Sequence, residues 1–356
     1  MKRRDVLRLG GTLAAGLSAP ALVTGRALAQ AKPESISVMT WGGLWGDALA
    51  KGVDSKFTAA TGVKVVQDRG SSPVERITKI KVNAANQIFD CVQLHDGLFP
   101  AAIGQGVLEP LNATSPNMPN IRELLPGMLQ PYFALGIFSA LGICYNTKEV
   151  KSPPTSWADL WRPEFKGRIV LPEISHSIGT YIIPVGALAD GKPAGDAEAG
   201  FAMFQKLVKL EPIFAKDTDT IMNAMTNGDA VIGLLYKSQT FTVQDRKKEP
   251  VEWVFPKEGG ISVSWGTGIA KGTKNKELAE KYVNLSVDPQ AQGLFSEAFN
   301  YPGSHKKMLD LLSPDKKARV QFTEDQLARI IALDHAFMSA ERSKWVERWN
   351  KIVAGG

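Results

Sequence analysis

The chain has 356 residues, 42 Lys and Arg against 36 Asp and Glu for a net charge of +6, 44% apolar residues and two cysteines. Five of the bases and one of the acids fall in residues 1–29, so the rest carries only +2, which gives no reason to invoke a nucleic acid or a charged membrane surface as partner. Two cysteines, Cys91 and Cys144, are too few for a disulfide scaffold and wrongly spaced for a metal knuckle; they leave either two buried thiols or one disulfide made after export.

Residues 1–29 read as a targeting segment. Lys2, Arg3, Arg4 and Arg8 lead into a Gly- and Ala-rich apolar stretch over 9–23, and Ala27-Leu28-Ala29 has the small-residue form of a cleavage site. The paired arginines resemble the twin-arginine export pattern. An uncleaved anchor is the alternative, but the stretch is shorter than the roughly 20 residues a spanning helix needs, and Gly10, Gly11 and Gly16 weaken it. Cleavage after Ala29 and a periplasmic mature protein are therefore expected.

The 327 residues beyond Ala29 exceed the size at which one core keeps growing, so two lobes are predicted. Residues 36–40 predict a strand, 45–60 an amphipathic helix closed by Gly62, and 63–67 a second strand. Ser72-Pro73-Val74-Glu75 places a Ser N-cap, a Pro at the first helical position and a Glu three residues after the cap, which starts a helix running to about Asn86. Residues 89–94 give a third strand and complete a βαβαβ unit with parallel strands. A second lobe begins near Gly142, with strands at 142–145, 168–171 and 230–236 and helices at 198–210 and 220–227. After Gly259-Gly260 come another strand, helices at 276–287 and 289–299, and a charged helix over 323–353 packed on a lobe.

Several chemistries fail on spacing. Residues 186–192 nearly spell a phosphate loop, but Pro193 stands where a Ser or Thr must ligate Mg²⁺, and Gly266-Thr267-Gly268 lacks the rest of a dinucleotide fingerprint. No Gly-x-Ser-x-Gly elbow occurs. His95, His176, His305 and His335 are scattered without a paired spacing, so no metal or other cofactor is expected. No nucleophile, base and orienter can be assembled, which points away from an enzyme. His95 and His176 each follow a predicted strand and are candidates to face a ligand. Trp41, Tyr236, Trp265 and Tyr301 sit at strand ends or loops, where α/β proteins place ligands, although core packing would also account for any one of them.

Four segments in order carry a resemblance: Thr155-Ser-Trp157-Ala-Asp-Leu-Trp161 with Phe165-Lys-Gly167, Asn227-Gly-Asp-Ala-Val-Ile-Gly233, Phe255-Pro-Lys-Glu-Gly-Gly260, and Tyr301-Pro302. Together they resemble the polyamine-binding (spermidine/putrescine) branch of the periplasmic solute-binding proteins of ABC importers. The resemblance implies an α/β, two-lobed, type II binding fold with a hinge and a central ligand cleft, a first lobe at 31–140 and 265–309, and a second at 141–264 and 310–356. It implies a monomer that captures a small-molecule solute and delivers it to an ABC permease in the inner membrane. A periplasmic enzyme or a chemoreceptor-linked sensor on the same fold are the readings of another class.

The same resemblance puts Trp41, Tyr236 and Tyr301 where the family stacks aromatics on the solute, with Glu173 near an acidic segment of the second lobe. Two family acids are missing. Polyamine-binding members carry Trp-x-Asp soon after the Pro-Lys-Glu-Gly-Gly segment, whereas this chain has Val263-Ser264-Trp265, and Ser177 replaces a further acid. Arg69 and Lys237, at the expected cleft, could instead face a carboxylate while Asp96 and Glu173 hold an amine. The expected solute is a short amino-carboxylate or amino-phosphonate, with putrescine or spermidine as the alternative, and the expected site is Trp41, Arg69, His95, Asp96, Glu173, Tyr236, Lys237, Trp265 and Tyr301.

Overall fold

The first three strands and the two helical segments between them follow the pattern of the sequence. In the computed structural model, which describes residues 32–248 and 250–355, β1 (Ser35–Met39) leads through α1 (Gly43–Leu49), a π-helical turn at Ala50–Asp54 and α2 (Ser55–Thr61) to β2 (Lys64–Asp68). The predicted targeting segment and its cleavage site lie outside the described residues. Gly62 closes α2 in the left-handed conformation at φ 67°, which a side chain would strain. Helix α3 (Pro73–Val82) starts on the capping box of Ser72 and Glu75, and β3 (Cys91–His95) lies parallel to β1 as β2 does.

Helix α4 (Phe99–Gly104), β4 (Leu108–Glu109) and β5 (Leu129–Gln130) then lead into β6 (Phe133–Asn146), fourteen buried residues where only 142–145 had been expected as strand. Gly136 and Gly142 disguise it in the sequence. Gly142 is required by closeness: a Cβ there would stand 2.4 Å from the carbonyl of Val254. The rest runs β7 (Ile169–Pro172), α5 (Ile182–Ala189), α6 (Ala197–Val208), β8 (Ile213–Ala215), α7 (Thr218–Asn227), β9 (Ile232–Tyr236), α8 (Lys237–Lys247), β10 (Val251–Val254) and β11 (Ile261–Ala270). Helices α9 (Lys276–Ser286), α10 (Pro289–Phe299), α11 (Pro314–Val320), α12 (Glu324–Ala328) and α13 (His335–Gly355) finish the described chain.

The strands form one mixed sheet in the order β2-β1-β3-β11-β6-β9-β7-β8. Its centre is the long antiparallel pair β6 and β11, flanked on one side by parallel β1–β3 and on the other by β7–β9. Between Trp265 and Gly266 the register slips, because Trp265 pairs with Ile137 and Gly266 with Leu135, so Gly136 is bulged out. Apolar packing divides near this bulge. Ile36, Val38, Phe57, Ile137, Ile269 and Tyr282 share one core, whereas Leu141, Trp157, Ile169, Phe204, Leu234 and Val263 share another.

Two of the signature segments are structural. Ser156 caps a short 3₁₀ turn, Glu258 accepts from its hydroxyl and from the Trp157 amide at 3.1 Å, and the buried Trp157 indole donates to the Gly259 carbonyl at 2.9 Å. Two segments that look independent in sequence thus clamp each other.

The predicted helix over 323–353 is corrected to two helices. Ile331 bridges to Ile261, accepting from Ser262 at 2.8 Å and donating to Gly260 at 2.8 Å, so the sheet edge takes backbone groups that a continuous helix would use. Segment 314–322 ties two regions together: Lys316 donates to Asn300 Oδ1 at 2.7 Å and Arg319 pairs with Asp245 at 2.8 Å. Cys91 and Cys144 are buried free thiols, pushed up by burial, Cys144 to about 12. No helix among the described residues is long and apolar enough to cross a membrane.

Candidate functional site

The carboxyl ends of β1, β3 and β9 and the bulge of β11 converge on one region, which places their loops together. Four of the predicted aromatics join there into a chain through Trp45, whose place at the start of a helix gives no sign of a ligand site in the sequence. Trp45 meets Trp41 edge-on at 5.1 Å and Trp265 at 6.1 Å, and Trp265 meets Tyr301 at 4.9 Å and Tyr236 at 5.7 Å. The Trp45 indole and the Thr40 hydroxyl both donate to Gln93 Oε1, at 3.2 and 2.7 Å, which fixes the end of β1 against β3. Burial pushes the Tyr301 phenol up to about 12 and the Tyr236 phenol well above its ordinary value, so both remain neutral donors.

Asp96 is positioned by the backbone. Its Oδ1 accepts from Gly97 N at 2.9 Å and its Oδ2 from Ser264 N at 2.7 Å, which links the end of β3 to the residue before the bulge. Two imidazoles flank it, with His95 Nδ1 at 3.9 Å and His335 Nε2 at 3.7 Å from Oδ1. Burial lowers the His335 pKa, opposed by Asp96 and assisted by His95. The Tyr181 phenol is fully buried and has no hydrogen-bond partner among the described residues; burial, then Asp96, raises it well above its ordinary value.

His335 lines two cavities. One, about 1240 Å³ including its open mouth, is lined by His95 and Gly97, by Ser175, Ser177 and Tyr181, and by one face of α13. That face is His335, Met338, Ser339 and Arg342, spaced i, i+3, i+4 and i+7 as one side of a helix must be. Arg342 donates to the Ile174 carbonyl at 3.3 Å and pairs with no carboxylate among the described residues. The other cavity is lined by Asp96, Ser262, Ser264 and His335. His95 was legible as a candidate from its position after a strand and Asp96 as an acid able to hold an amine, whereas Ser177 was read only as the replacement of a family acid; Tyr181, His335 and Arg342 carried no signal, because only the fold brings them to this place.

Three predicted site residues are engaged elsewhere. Arg69 lies over Gly46, donating to Gln67 Oε1 at 2.6 Å and pairing with Asp47 at 2.7 Å. Lys237 turns to Phe322, 4.6 Å from its ring, and donates to the Gln321 carbonyl at 2.5 Å; burial lowers its pKa to about 8. Glu173 accepts from the Ser175 amide at 3.1 Å and from the Ser175 hydroxyl, closing its own loop. His176 is also internal: Nδ1 accepts from Ile178 N at 3.1 Å, Nε2 lies 3.3 Å from the Thr218 hydroxyl, and burial pushes its pKa down to about 4.

Arg76, on the first turns of α3, is a buried cation behind Trp41. It is 1% exposed, stacks 4.2 Å from the centre of the Trp41 ring, and donates to the Gln93 carbonyl at 2.7 Å and the Ser71 carbonyl at 3.2 Å. Nothing in the helix pattern marked it, because a capped helix with an Arg in its second turn reads as solvated. Among the described residues no three of His, Cys, Asp or Glu converge as metal ligands.

The pattern that defines the bacterial extracellular solute-binding proteins matches residues 86–324. The spermidine/putrescine-binding periplasmic protein 1 of Haemophilus influenzae is 25% identical over 270 residues, 73% of this chain and 74% of the relative. The gamma-aminobutyric acid-binding protein of Pseudomonas aeruginosa is 25% identical over 338 residues, 92% of this chain and 93% of the relative. The crystal structure of an ABC transporter from Clostridium perfringens superposes with a TM-score of 0.78 at 24% identity, covering 90% of this chain and 100% of the other.

Proposed function

The chain belongs to the bacterial extracellular solute-binding proteins, and on that premise we propose that it captures, in the periplasm, a short solute bearing both an amine and an acidic group and delivers it as a monomer to an ABC permease. The observation that carries this reading is the opposite charge of two cavities that share His335. One is lined by the carboxylate of Asp96, held by two backbone amides. The other is lined by Arg342 with Ser175, Ser177 and Ser339, and by Tyr181, whose hydroxyl has no partner among the described residues. A carboxylate suits an ammonium and an unpaired guanidinium suits a carboxylate, so a molecule with one of each fits better than a dication. The gamma-aminobutyric acid-binding relative, matched over nearly its whole length, supports the same class.

The missing acids support it as well, since Val263, Trp265 and Ser177 offer no second anionic contact. The polyamine-binding relatives favour putrescine as the second reading. In either case, the lobes at 31–140 with 265–309 and at 141–264 with 310–356 close about the bulge at Gly136 and Gly266. A Cβ on Gly266 would stand 2.6 Å from the Ala134 carbonyl, so this crossing keeps two glycines. Solutes released from denatured protein identify the class by mass spectrometry. An unchanged amino-carboxylate is expected; a released polyamine moves the protein to the second reading, and chemical turnover of the solute overturns binding as its role. The radius of gyration in scattering is expected to fall on saturation.

A further inference from the structure

Arg76 raises a question that its hydrogen bonds do not answer. A guanidinium that is 1% exposed ordinarily has a carboxylate beside it, because a buried charge without a counter-charge is costly. Here the partners are two neutral carbonyls and the face of Trp41, and no described carboxylate lies within ion-pair distance. Asp68 offsets part of the charge from beyond ion-pair distance, but its own Oδ2 is paired with Lys79 at 2.8 Å and its Oδ1 accepts from the Ser71 hydroxyl. The Gln93 side chain is equally committed, to Thr40 and Trp45. Burial lowers the Arg76 pKa to about 10, which leaves it a cation at neutral pH.

Its place matters more than its charge alone. The guanidinium covers one face of Trp41, at the carboxyl ends of β1 and β3, where an open α/β sheet receives ligands. An ammonium stacked on the other face would lie roughly 8 Å away across an apolar ring, with little water to screen the repulsion. An anionic group brought to the same rim is attracted instead. We infer that Arg76 is a specificity-determining residue, a buried cation behind Trp41 that turns this side of the cleft against dications and toward solutes carrying an acidic group there. The inference rests on the reading of Trp41 as part of the solute site, and it assigns discrimination to a residue that does not touch the solute.

The probes are 4-aminobutyrate and putrescine, which differ in one terminus: a carboxylate in the first, an aminomethyl group in the second. Calorimetry on the wild type, Arg76→Gln and Arg76→Lys gives the ratio of the two affinities. Removing the charge in Arg76→Gln is expected to shift that ratio toward putrescine by tenfold or more, whereas Arg76→Lys, which keeps the charge, holds it within about threefold. A purely structural role would weaken both ligands together and leave the ratio in place. An unmoved ratio in Arg76→Gln, or an equal shift in Arg76→Lys, overturns the inference. Arg76→Met, which keeps the apolar stem packed, is scored in the same way if the Gln variant does not melt cooperatively. The wild-type preference is separate: tighter binding of putrescine than of 4-aminobutyrate overturns the solute class proposed above, while the change in ratio still decides the role of Arg76.

Discussion

Two aromatic clusters of similar size sit in different surroundings. Around Trp265, the rings of Trp41, Tyr236 and Tyr301 come from strand ends and loops, are joined through Trp45 of α1 to Phe295 and Phe299 of α10, and are interleaved with Asp96, Gln93 and Arg76. Around Trp349, they come from helix faces and one sheet edge: Phe204 stacks at 5.6 Å, Phe214 meets the indole at 4.9 Å, and Trp345 packs on Phe201 at 5.9 Å. At the rim of the second cluster, Arg348 lies over Phe201 and pairs with Glu198. Aromatic content therefore says little about role. What separates the clusters is whether polar groups are held in place beside the rings, and that depends on backbone ends converging.

The sharpest test of the comparison is to delete one ring from each. Trp349→Ala is expected to destabilise the protein by about 3–5 kcal/mol in urea unfolding, because a 4% exposed indole leaves a cavity that α6 and α13 cannot close. Solute affinity of the protein that remains folded is expected to be unchanged. A loss below about 1 kcal/mol would remove the distinction between the clusters.

Acid tests the internal histidine of the cleft loop. His176 has a folded pKa near 4 against an ordinary value of 6.5, so the neutral form is favoured in the folded state. The stability it contributes is fully present above pH 6.5 and is lost as the pH falls toward 4, by up to about 3 kcal/mol. Thermal melts between pH 7.5 and 4 are expected to show this decline, and His176→Gln to flatten it. An equal decline in both proteins would assign the acid sensitivity to other groups.

Trp41→Ala carries the counterpart prediction for the first cluster. Solute affinity is expected to fall about tenfold, near 1.4 kcal/mol, with unfolding free energy changed by less than the Trp349 variant changes it. If Trp41→Ala unfolds the protein as severely as Trp349→Ala, the strand-end cluster is core after all. The smallest effect is expected at Arg69, whose pair with Asp47 is exposed on both sides. Arg69→Ala is expected to change both stability and affinity by under about 1 kcal/mol, measured by the same melts and calorimetry. A tenfold loss of affinity would return Arg69 to the site.

Much of the fold was legible in local pattern. The capping box at Ser72, Gly62 beyond α2, the short strands of the first lobe and the helix over 289–299 depend on neighbours within one or two turns, and each formed where the residues predicted. The strand over 133–146 was only partly legible, since a strand buried on both faces has no alternation and its glycines serve close approach. The helix expected over 323–353 failed at Ile331 because a sheet edge 70 residues away competed for its backbone.

For the site, the sequence by itself determined the residue types at strand ends: Trp41, His95, Tyr236 and Trp265 were all named from position, while Asp96 and the absence of two family acids entered through the family resemblance. The tertiary structure decided which charges face the cleft. Arg69 and Lys237 are close in sequence to ligand loops, yet each found a nearer partner, Asp47 for one and the Gln321 carbonyl with Phe322 for the other. Arg76, His335 and Arg342 carry no local signal: Arg76 comes behind Trp41 because α3 packs on β3, and His335 and Arg342 line a cavity with His95 and Ser177 because one face of α13 lies there. Electrostatic and packing energies fall off within a few ångströms, so a charge acts on whatever folding sets beside it, and distance along the chain does not record that.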